Sequence, residues 1–281
     1  RQADIQRKEA QRQERVARAG QLAAQSNAAL DEYPQRSLLL ALEALNVTSK
    51  AGEARRASAE EALRDALGQP HGLPLGNHSK PILILAFSPD GRWLASGSED
   101  STIELWDLQA ADLSARPITI SSNGTEIRVM AFSRDGRWLA AGGDNNDAFL
   151  WNLADLGAAP VTLSGHAANI KSLAFSPDGR WLATGSVDET IRLWDLQAPD
   201  PAQDSRVLVR HNGDISALAF SPDGLWLASG SLDTTARLWR VTDSGAQSIA
   251  LEGHLRNVSA LAFSPDGHWL ATGRYDHTAR L

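Results

Sequence analysis

A histidine, a hydroxyl residue and an aspartate recur at fixed spacing in this chain: His166, Thr184 and Asp188, then His211, Ser229 and Asp233. These are the residue types of a hydroxyl nucleophile, its general base and the carboxylate that orients the base. The set also appears as His78, Ser96 and Asp100, and it begins again at His254, Thr272 and Asp276. Trp106, Trp194 and Trp239 follow the first three of these in chain order and turn them into quartets. An active site needs one constellation beside one cleft. A group copied along the chain is more economically a structural network, because buried polar side chains need partners and such a network supplies them. We therefore expect no catalytic, cofactor-binding or metal-binding residue here.

The elements that position these groups are repeats. Phe-Ser-Pro-Asp-Gly occurs at Phe87, Phe175, Phe220 and Phe263, with Phe132-Ser133-Arg134-Asp135-Gly136 as an altered copy, at intervals of 45, 43, 45 and 43 residues. A period of that length identifies tandem copies of one supersecondary unit. Within the third copy, an apolar stretch reaches Phe175, a Ser176-Pro177-Asp178-Gly179 turn follows, and then come Trp181-Leu182-Ala183-Thr184-Gly185, Asp188 and Trp194-Asp195. This reads as four short strands per copy. Ile170, Ser172 and Ala174 alternate with Lys171, Leu173 and Phe175, which suits a strand covered on both faces. Pro-Asp-Gly suits a tight turn, since proline presets φ, Asp bonds nearby backbone and Gly tolerates positive φ.

Gly165-His166 and Gly253-His254 near the start of their units, with Trp106-Asp107 and Trp194-Asp195 at the end, resemble WD repeats. The resemblance spans roughly residues 72–281. It implies a mainly β fold, a β-propeller of four-stranded antiparallel blades, and a relay in which Asp orients His, His reaches the Ser or Thr hydroxyl, and that hydroxyl reaches the indole. The two tryptophans of a unit lie 13 residues apart in four copies, and the partner of Trp269 falls beyond Leu281. The chain is thus expected to hold four complete blades and a partial fifth in an unclosed ring, where propellers of this kind commonly close with about seven. His71-Gly72-Leu73-Pro74-Leu75 stands where outer strands precede the other units and would pair with an absent last blade.

Residues 1–70 differ in character and read as an α-helical linker ahead of a truncated propeller at 71–281. Arg1 to Ala29 suggests one long helix, polar all round at first, with six basic and three acidic residues among the first 20. Pro34 suits the first turn of a second helix carrying Leu38 to Leu45, and Glu53 to Leu67 makes a third. The second and third are expected to form a hairpin packed through leucines. The basic stretch is read as a solvated helix with intrahelical ion pairs, and the sharper alternative is a helix near an acidic lipid surface. This region, above all Ser37 to Leu45, resembles the linker ahead of the WD repeats in large bacterial STAND-type signalling NTPases. No Gly-x-x-x-x-Gly-Lys-Ser/Thr loop is present, so nucleotide binding through a P-loop is not expected.

Composition narrows the partners. There are no cysteines, so neither a disulfide framework nor a thiolate metal site can form. No apolar run is long enough to span a bilayer and no secretory signal opens the chain, which favours a cytoplasmic location, with any membrane attachment through upstream sequence. The formal charge is −7, and the first 70 residues hold 11 basic and 10 acidic groups, so the repeats carry the negative excess. An acidic propeller disfavours nucleic acid. Trp93, Trp138, Trp181, Trp226 and Trp269 suit packing between blades better than exposed stacking platforms for bases or sugars.

The second unit breaks the pattern. Asn123 stands at the His position, Ala141 at the hydroxyl, Asn145 at the Asp, and Asn152 after Trp151. Drift in a blade held by its neighbours explains this, and a contact loop built from Asp144, Asn145, Asn146 and Asp147 is the alternative. The residues preceding each Asp position, Glu99, Asp144, Val187, Leu232 and Tyr275, differ among otherwise matching neighbours. They are the candidate partner-binding residues of a scaffold that presents variable contacts. The expected function is a non-catalytic scaffold or sensor binding a protein or peptide, neither nucleic acid nor a small-molecule substrate. An assembly element oligomerising through the first helix is the second reading, and a hydrolase the third.

Overall fold

The computed structural model describes residues 2–29, 34–49, 57–68, 75–76, 78–110, 116–122, 124–209, 211–241, 248–274 and 278–281. The chain separates into two compact units, Arg1–Leu75 and Gly76–Leu281. Expectations placed on His71 to Pro74, Asn123, Tyr275 and Asp276 lie outside the described residues.

The first unit is three helices, α1 (Gln2–Ala28), α2 (Pro34–Ser49) and α3 (Ala57–Gly68), each packed on the other two. Its described seam combines alanines with leucines, and the side chains of Leu38, Leu45 and Leu67, on which the sequence expectation also rests, lie outside the described residues. Among the described side chains Ala23, Ala41, Ala44 and Ala62 are buried together, with Leu22 and Leu63 packed alongside, whereas Leu39 and Leu42 are exposed. Alanine brings helix axes close and loses no side-chain entropy on burial, which suits these positions where the helices meet. Ser26 sits in the same seam and donates from Oγ to the Ser37 carbonyl at 2.8 Å. Arg18 pairs with Glu43 at 3.3 Å across α1 and α2.

The second unit is mainly β, five antiparallel sheets in an unclosed ring. Blade one is β1 (Ile82–Phe87), β2 (Trp93–Ser98), β3 (Thr102–Asp107) and β4 (Ile118–Ser121). Blade two is β5 (Ile127–Phe132), β6 (Trp138–Gly143), β7 (Ala148–Asn152) and β8 (Val161–Leu163). Blade three is β9 (Ile170–Phe175), β10 (Trp181–Ser186), β11 (Thr190–Asp195) and β12 (Ser205–Val209). Blade four is β13 (Ile215–Phe220), β14 (Trp226–Ser231), β15 (Ala236–Arg240) and β16 (Ser248–Leu251). Blade five has three described strands, β17 (Val258–Phe263), β18 (Leu270–Arg274) and β19 (Ala279–Arg280). The first strands β1, β5, β9, β13 and β17 neighbour one another in sequence order and line a shared central cavity.

The Ser-Pro-Asp-Gly turn is closed by its own side chains. In blade three Ser176 Oγ donates to Asp178 Oδ1 at 2.5 Å. It also accepts the Trp181 N–H at 2.8 Å, while Asp178 Oδ1 takes the Arg180 N–H at 3.0 Å. Gly179 occupies φ 71°, a region that L side chains disfavour. Both polar residues are consumed inside the turn.

Between blades lies an apolar core. Trp151 packs with Ala95, Ile103, Leu105 and Ile120 of blade one, and Trp194 with Leu150, Leu163 and Ile170. Trp181 and Trp239 share the next layer with Leu193, Ile215 and Leu227. Trp93 and Trp138 pack against the same layers, as the sequence suggested for these positions, whereas Trp269, given the same expectation, is 60% exposed. Arg180 lies 4.8 Å from the Trp181 ring and pairs with Asp195 at 2.8 Å, so the Trp194-Asp195 dipeptide anchors a cation over the preceding tryptophan.

Candidate functional site

Each polar set is assembled at one edge of its blade, because the antiparallel strands bring the start of the first strand and the end of the second to the same side. In blade three His166 Nδ1 lies 2.9 Å from Asp188 Oδ2 and Nε2 lies 2.9 Å from Thr184 Oγ1. Trp194 Nε1 donates to the same hydroxyl at 3.0 Å. The protons follow from these contacts: His166 donates from Nδ1 to the carboxylate, so Nε2 accepts from Thr184, whose oxygen accepts from the indole. Every donor meets an acceptor. Blade four repeats the arrangement, with His211 to Asp233 at 2.7 Å, His211 to Ser229 at 2.7 Å and Trp239 to Ser229 at 2.7 Å.

Asp188 does more than orient a histidine. It accepts the Ala167 N–H at 2.8 Å, the Thr190 N–H at 2.9 Å and the Thr190 hydroxyl at 2.7 Å, tying the loop before β9 to the turn before β11. Burial alone would raise the Asp188 carboxyl, but the bonds from Thr190, Ala167 and His166 together hold it down at about 2. His166 and His211 are pushed below their ordinary value, chiefly by burial, against the opposing pull of their aspartates. Both imidazoles are therefore neutral at neutral pH, in agreement with the proton assignment.

This geometry is poorly suited to catalysis. Thr184 and Ser229 are completely buried, and each hydroxyl is held between an imidazole and an indole with no face left for a substrate. Among the described residues no cluster of three or more His, Cys, Asp or Glu side chains is placed to hold a metal ion.

Blade one departs from the quartet. His78 contacts Asp100 at 3.1 Å and Ser96 at 2.7 Å, but the hydroxyl-to-indole bond drawn in blades three and four is not made by Trp106. Glu104, opposite Ser96 in the sheet, stands where Arg192, Arg237 and Arg280 stand opposite Thr184, Ser229 and Thr272. Its Oε2 is buried without a hydrogen bond, 3.8 Å from His78 Nε2. In blade five His254 Nε2 meets Thr272 Oγ1 at 2.7 Å. In blade two Ala141 and Phe149 fill the space with apolar atoms, and both belong to the core around Trp151.

The same edge of the array carries the variable positions. Glu99, Val187 and Leu232 each donate their backbone N–H to a neighbouring loop carbonyl, of Pro81, Asn169 and Asp214, at 3.1, 2.9 and 2.9 Å. The backbone is fixed and the side chain is free to vary. In the blade-two loop Asn145 accepts the Asp147 N–H at 3.2 Å, so it shapes the turn, while Asp144 and Asn146 are exposed. Asp144 is not isolated: Arg128 Nε donates to it at 2.6 Å and reaches Glu126 at 2.7 Å. Lys171 pairs with Asp214 at 2.8 Å between blades three and four. These ion pairs and the exposed Leu255 beside His254 were missed in the sequence reading. The signal for Leu255 was there, since the matching positions are Ser79, Gly124, Ala167 and Asn212.

Similarity to known proteins accords with this architecture. The family described as WD domain, G-beta repeat matches residues 72–107, 117–152, 158–195, 203–240 and 245–281. Each match runs from before a first strand to the end of a third, so the repeat in sequence is offset from the sheet, and β4, β8, β12 and β16 enter the blade preceding their own repeat. Among curated proteins, the Notchless protein homolog of Arabidopsis thaliana is 53% identical over 34 residues, 12% of this chain and 7% of that protein. The COMPASS component SWD1 of Saccharomyces cerevisiae is 43% identical over 51 residues, 18% and 12% of the two chains. Nuclear distribution protein PAC1 of Cryptococcus neoformans is 49% identical over 39 residues, 14% and 9%. The aligned stretches thus span only a small part of these relatives. With repeat matches covering more than half of its length on five blade-like sheets, the chain belongs to the WD repeat family.

Proposed function

We propose that the chain is a non-catalytic protein-interaction scaffold that presents the rim bearing Glu99, Asp144, Asn146, Val187, Leu232 and Leu255 to a protein or peptide partner. The observation that carries this reading is the contrast at one edge: the His, Asp and hydroxyl groups are consumed by internal bonds, while the neighbouring side chains change from blade to blade and are half-buried at Glu99 and Val187 and exposed at Asp144, Asn146, Leu232 and Leu255. Several similar proteins are named as parts of assemblies, among them a COMPASS component and a Target of rapamycin complex subunit, which supports a binding role. The rim is mixed in character, acidic around Glu99, Glu126 and Asp144 and apolar around Leu232 and Leu255.

The finer reading, a sensor module of a larger bacterial signalling protein of the STAND type, rests on the helical stretch Ser37 to Leu45 ahead of the repeats. We place such a protein in the cytoplasm, with the first helix near the membrane surface if a spanning segment precedes it. Among the described residues no helix is long and apolar enough to cross a membrane.

The test is a peptide-display selection against the intact chain, with a rim variant carrying Leu232→Asp and Leu255→Asp as counter-target. Peptides that bind the wild type and lose at least about tenfold affinity for the variant support the proposal. Selected peptides indifferent to both substitutions and to Asp144→Lys would overturn it.

A further inference from the structure

The turns at the edge opposite the rim carry a charge clamp in some blades and not in others. In blade one Arg92 pairs with Asp107 at 2.9 Å and lies 4.8 Å from the Trp93 ring, and blade three builds the same clamp from Arg180, Asp195 and Trp181. The aspartate has two duties, one for each oxygen. Asp107 Oδ1 accepts the Gln109 N–H at 3.0 Å, while Oδ2 takes the guanidinium. Blade four has neither member: Leu225 stands at the arginine's place, and Arg240 lies opposite Trp226 where the aspartate would be. In these three blades the cation and its carboxylate are present together or absent together.

Blade two breaks that rule, and it does so with a neighbouring blade on each side. It keeps Arg137, but Asn152 stands opposite Trp138 in the register that Asp107 and Asp195 occupy. Asn152 Oδ1 still accepts a backbone N–H, from Ala154 at 3.0 Å, so the turn is retained. Its other terminal atom is then the amide nitrogen, a donor, which cannot receive the donors of a guanidinium. Among the described residues Arg137 accordingly makes no ion pair and no ring contact of the kind that Arg92 and Arg180 make. Arg134 adds a second cation on the same turn, at the place of Pro89, Pro177, Pro222 and Pro265. It too is exposed and makes no ion pair among the described residues. Asp135, between the two, uses Oδ1 for the Ser133 hydroxyl and the Arg137 N–H at 2.5 and 3.1 Å. Two guanidiniums thus face solvent from one turn of a protein whose formal charge is −7.

We infer that Arg134 and Arg137 form a docking point for an acidic segment of a protein partner, whose carboxylates take the place that Asp107 and Asp195 fill in blades one and three. Charge and shape set the occupant, because the planar guanidinium presents a fork of N–H donors that matches the two oxygens of a carboxylate. Arg180 shows the pairing within the chain, with Nε 3.4 Å from Asp195 Oδ1 and Nη2 2.8 Å from Oδ2. Charges elsewhere on the molecule act weakly here, since physiological salt screens exposed groups beyond about 8 Å. The rim, acidic around Glu99, Glu126 and Asp144, repels such a segment. This surface is distinct from the rim and stands whether or not the rim binds a partner.

The experiment is fluorescence polarisation of a labelled peptide of alternating glutamate and glycine, titrated with the full chain as wild type, Arg137→Ser, Arg134→Pro, Asn152→Asp and, as a control, Arg92→Ser. Unfolding midpoints establish that each variant is folded; Arg134→Pro and Asn152→Asp introduce residues that other copies of the repeat carry at these places. The wild type should bind, and more weakly as salt is raised. Arg137→Ser should weaken binding at least about tenfold, the loss expected for one charge-assisted pair, and Arg134→Pro should weaken it too. Asn152→Asp should weaken it as much as Arg137→Ser although both arginines remain, because the clamp of blades one and three then closes on Arg137. Arg92→Ser changes the net charge equally but removes an arginine that is already paired, and should leave the affinity unchanged. A wild type that does not bind the glutamate peptide, an equal loss in Arg92→Ser, or an Asn152→Asp variant that binds like the wild type would each overturn the proposal. So would binding confined to the same peptide with phosphoserine in place of glutamate, or to phosphatidylserine vesicles, since either would assign the pair to phosphate.

Discussion

Replacing Trp194 or Thr184 separates packing from polar wiring within one blade. Trp194 is completely buried, touches the core of blade two, and donates its indole N–H to Thr184. Truncation to alanine removes the largest side chain of that layer and leaves a cavity, a loss of about 3–5 kcal/mol for an aromatic residue in a packed core. It also frees one hydroxyl acceptor that still serves His166. Thr184→Ala removes little volume but strands two groups, the indole N–H and the His166 Nε2, at roughly 1–3 kcal/mol for each buried group left unpaired. Part of that is recovered if water enters the space vacated, so we expect a loss near 2 kcal/mol for threonine and above 4 kcal/mol for tryptophan. Thr184→Ser keeps the hydroxyl, as Ser229 does in blade four, and should lose less than 1 kcal/mol. Urea unfolding followed by tryptophan fluorescence and by circular dichroism reads both the midpoints and their cooperativity. Equal midpoints for Trp194→Ala and Thr184→Ala, or a greater loss for threonine, would refute the assignment of stability to interblade packing.

Thr234 holds φ 78° with a β-branched side chain, and Thr234→Gly should raise stability by roughly 0.5–1 kcal/mol once glycine's extra chain entropy is set against the relieved strain, checked by the unfolding midpoint. Acid should weaken the array in two stages. His166 and His211 sit below their ordinary value of 6.5 in the fold, so the stability they contribute is complete above pH 6.5 and is lost as pH falls through their lowered values. Asp188, held at about 2 against an ordinary 3.8, contributes above pH 3.8 and loses that contribution as pH falls through about 2. Unfolding midpoints that stay level from pH ~7.5 to pH ~5 would contradict the first stage. Glu104→Gln should raise the midpoint, because a buried carboxylate oxygen without a hydrogen bond becomes a neutral amide; a fall would show that its 3.8 Å approach to His78 is a stabilising pair.

The architecture was legible because its determinants are local. Phe-Ser-Pro-Asp-Gly encodes a turn whose Ser and Asp satisfy the backbone within a few residues, and the recurrence of that turn fixes the strand pairs on either side. What was not legible depends on contacts between copies. Nothing in the string Ile170-Lys171-Ser172 shows that Ile170 packs over Gly142 of the preceding blade. Glu104 reads as one more charged residue on a strand until its register opposite Ser96 places it beside His78. In the helical unit Ala23, Ala41, Ala44 and Ala62 are buried together, small residues that the sequence reading did not single out because their burial depends on how closely the helices approach. The rim residues could be named from sequence variation among the copies, whereas Arg128 and Lys171, which cross-link that rim, required the fold.

Hydrogen exchange of the intact chain with and without a selected peptide ligand tests most directly where this scaffold works. The account predicts that protection concentrates at the loops of residues 98–102, 143–147, 186–190 and 231–235 and at 254–257, with the Ser-Pro-Asp-Gly turns at the opposite edge unchanged. Protection confined to those turns, or to the central strands β5, β9 and β13, would contradict it.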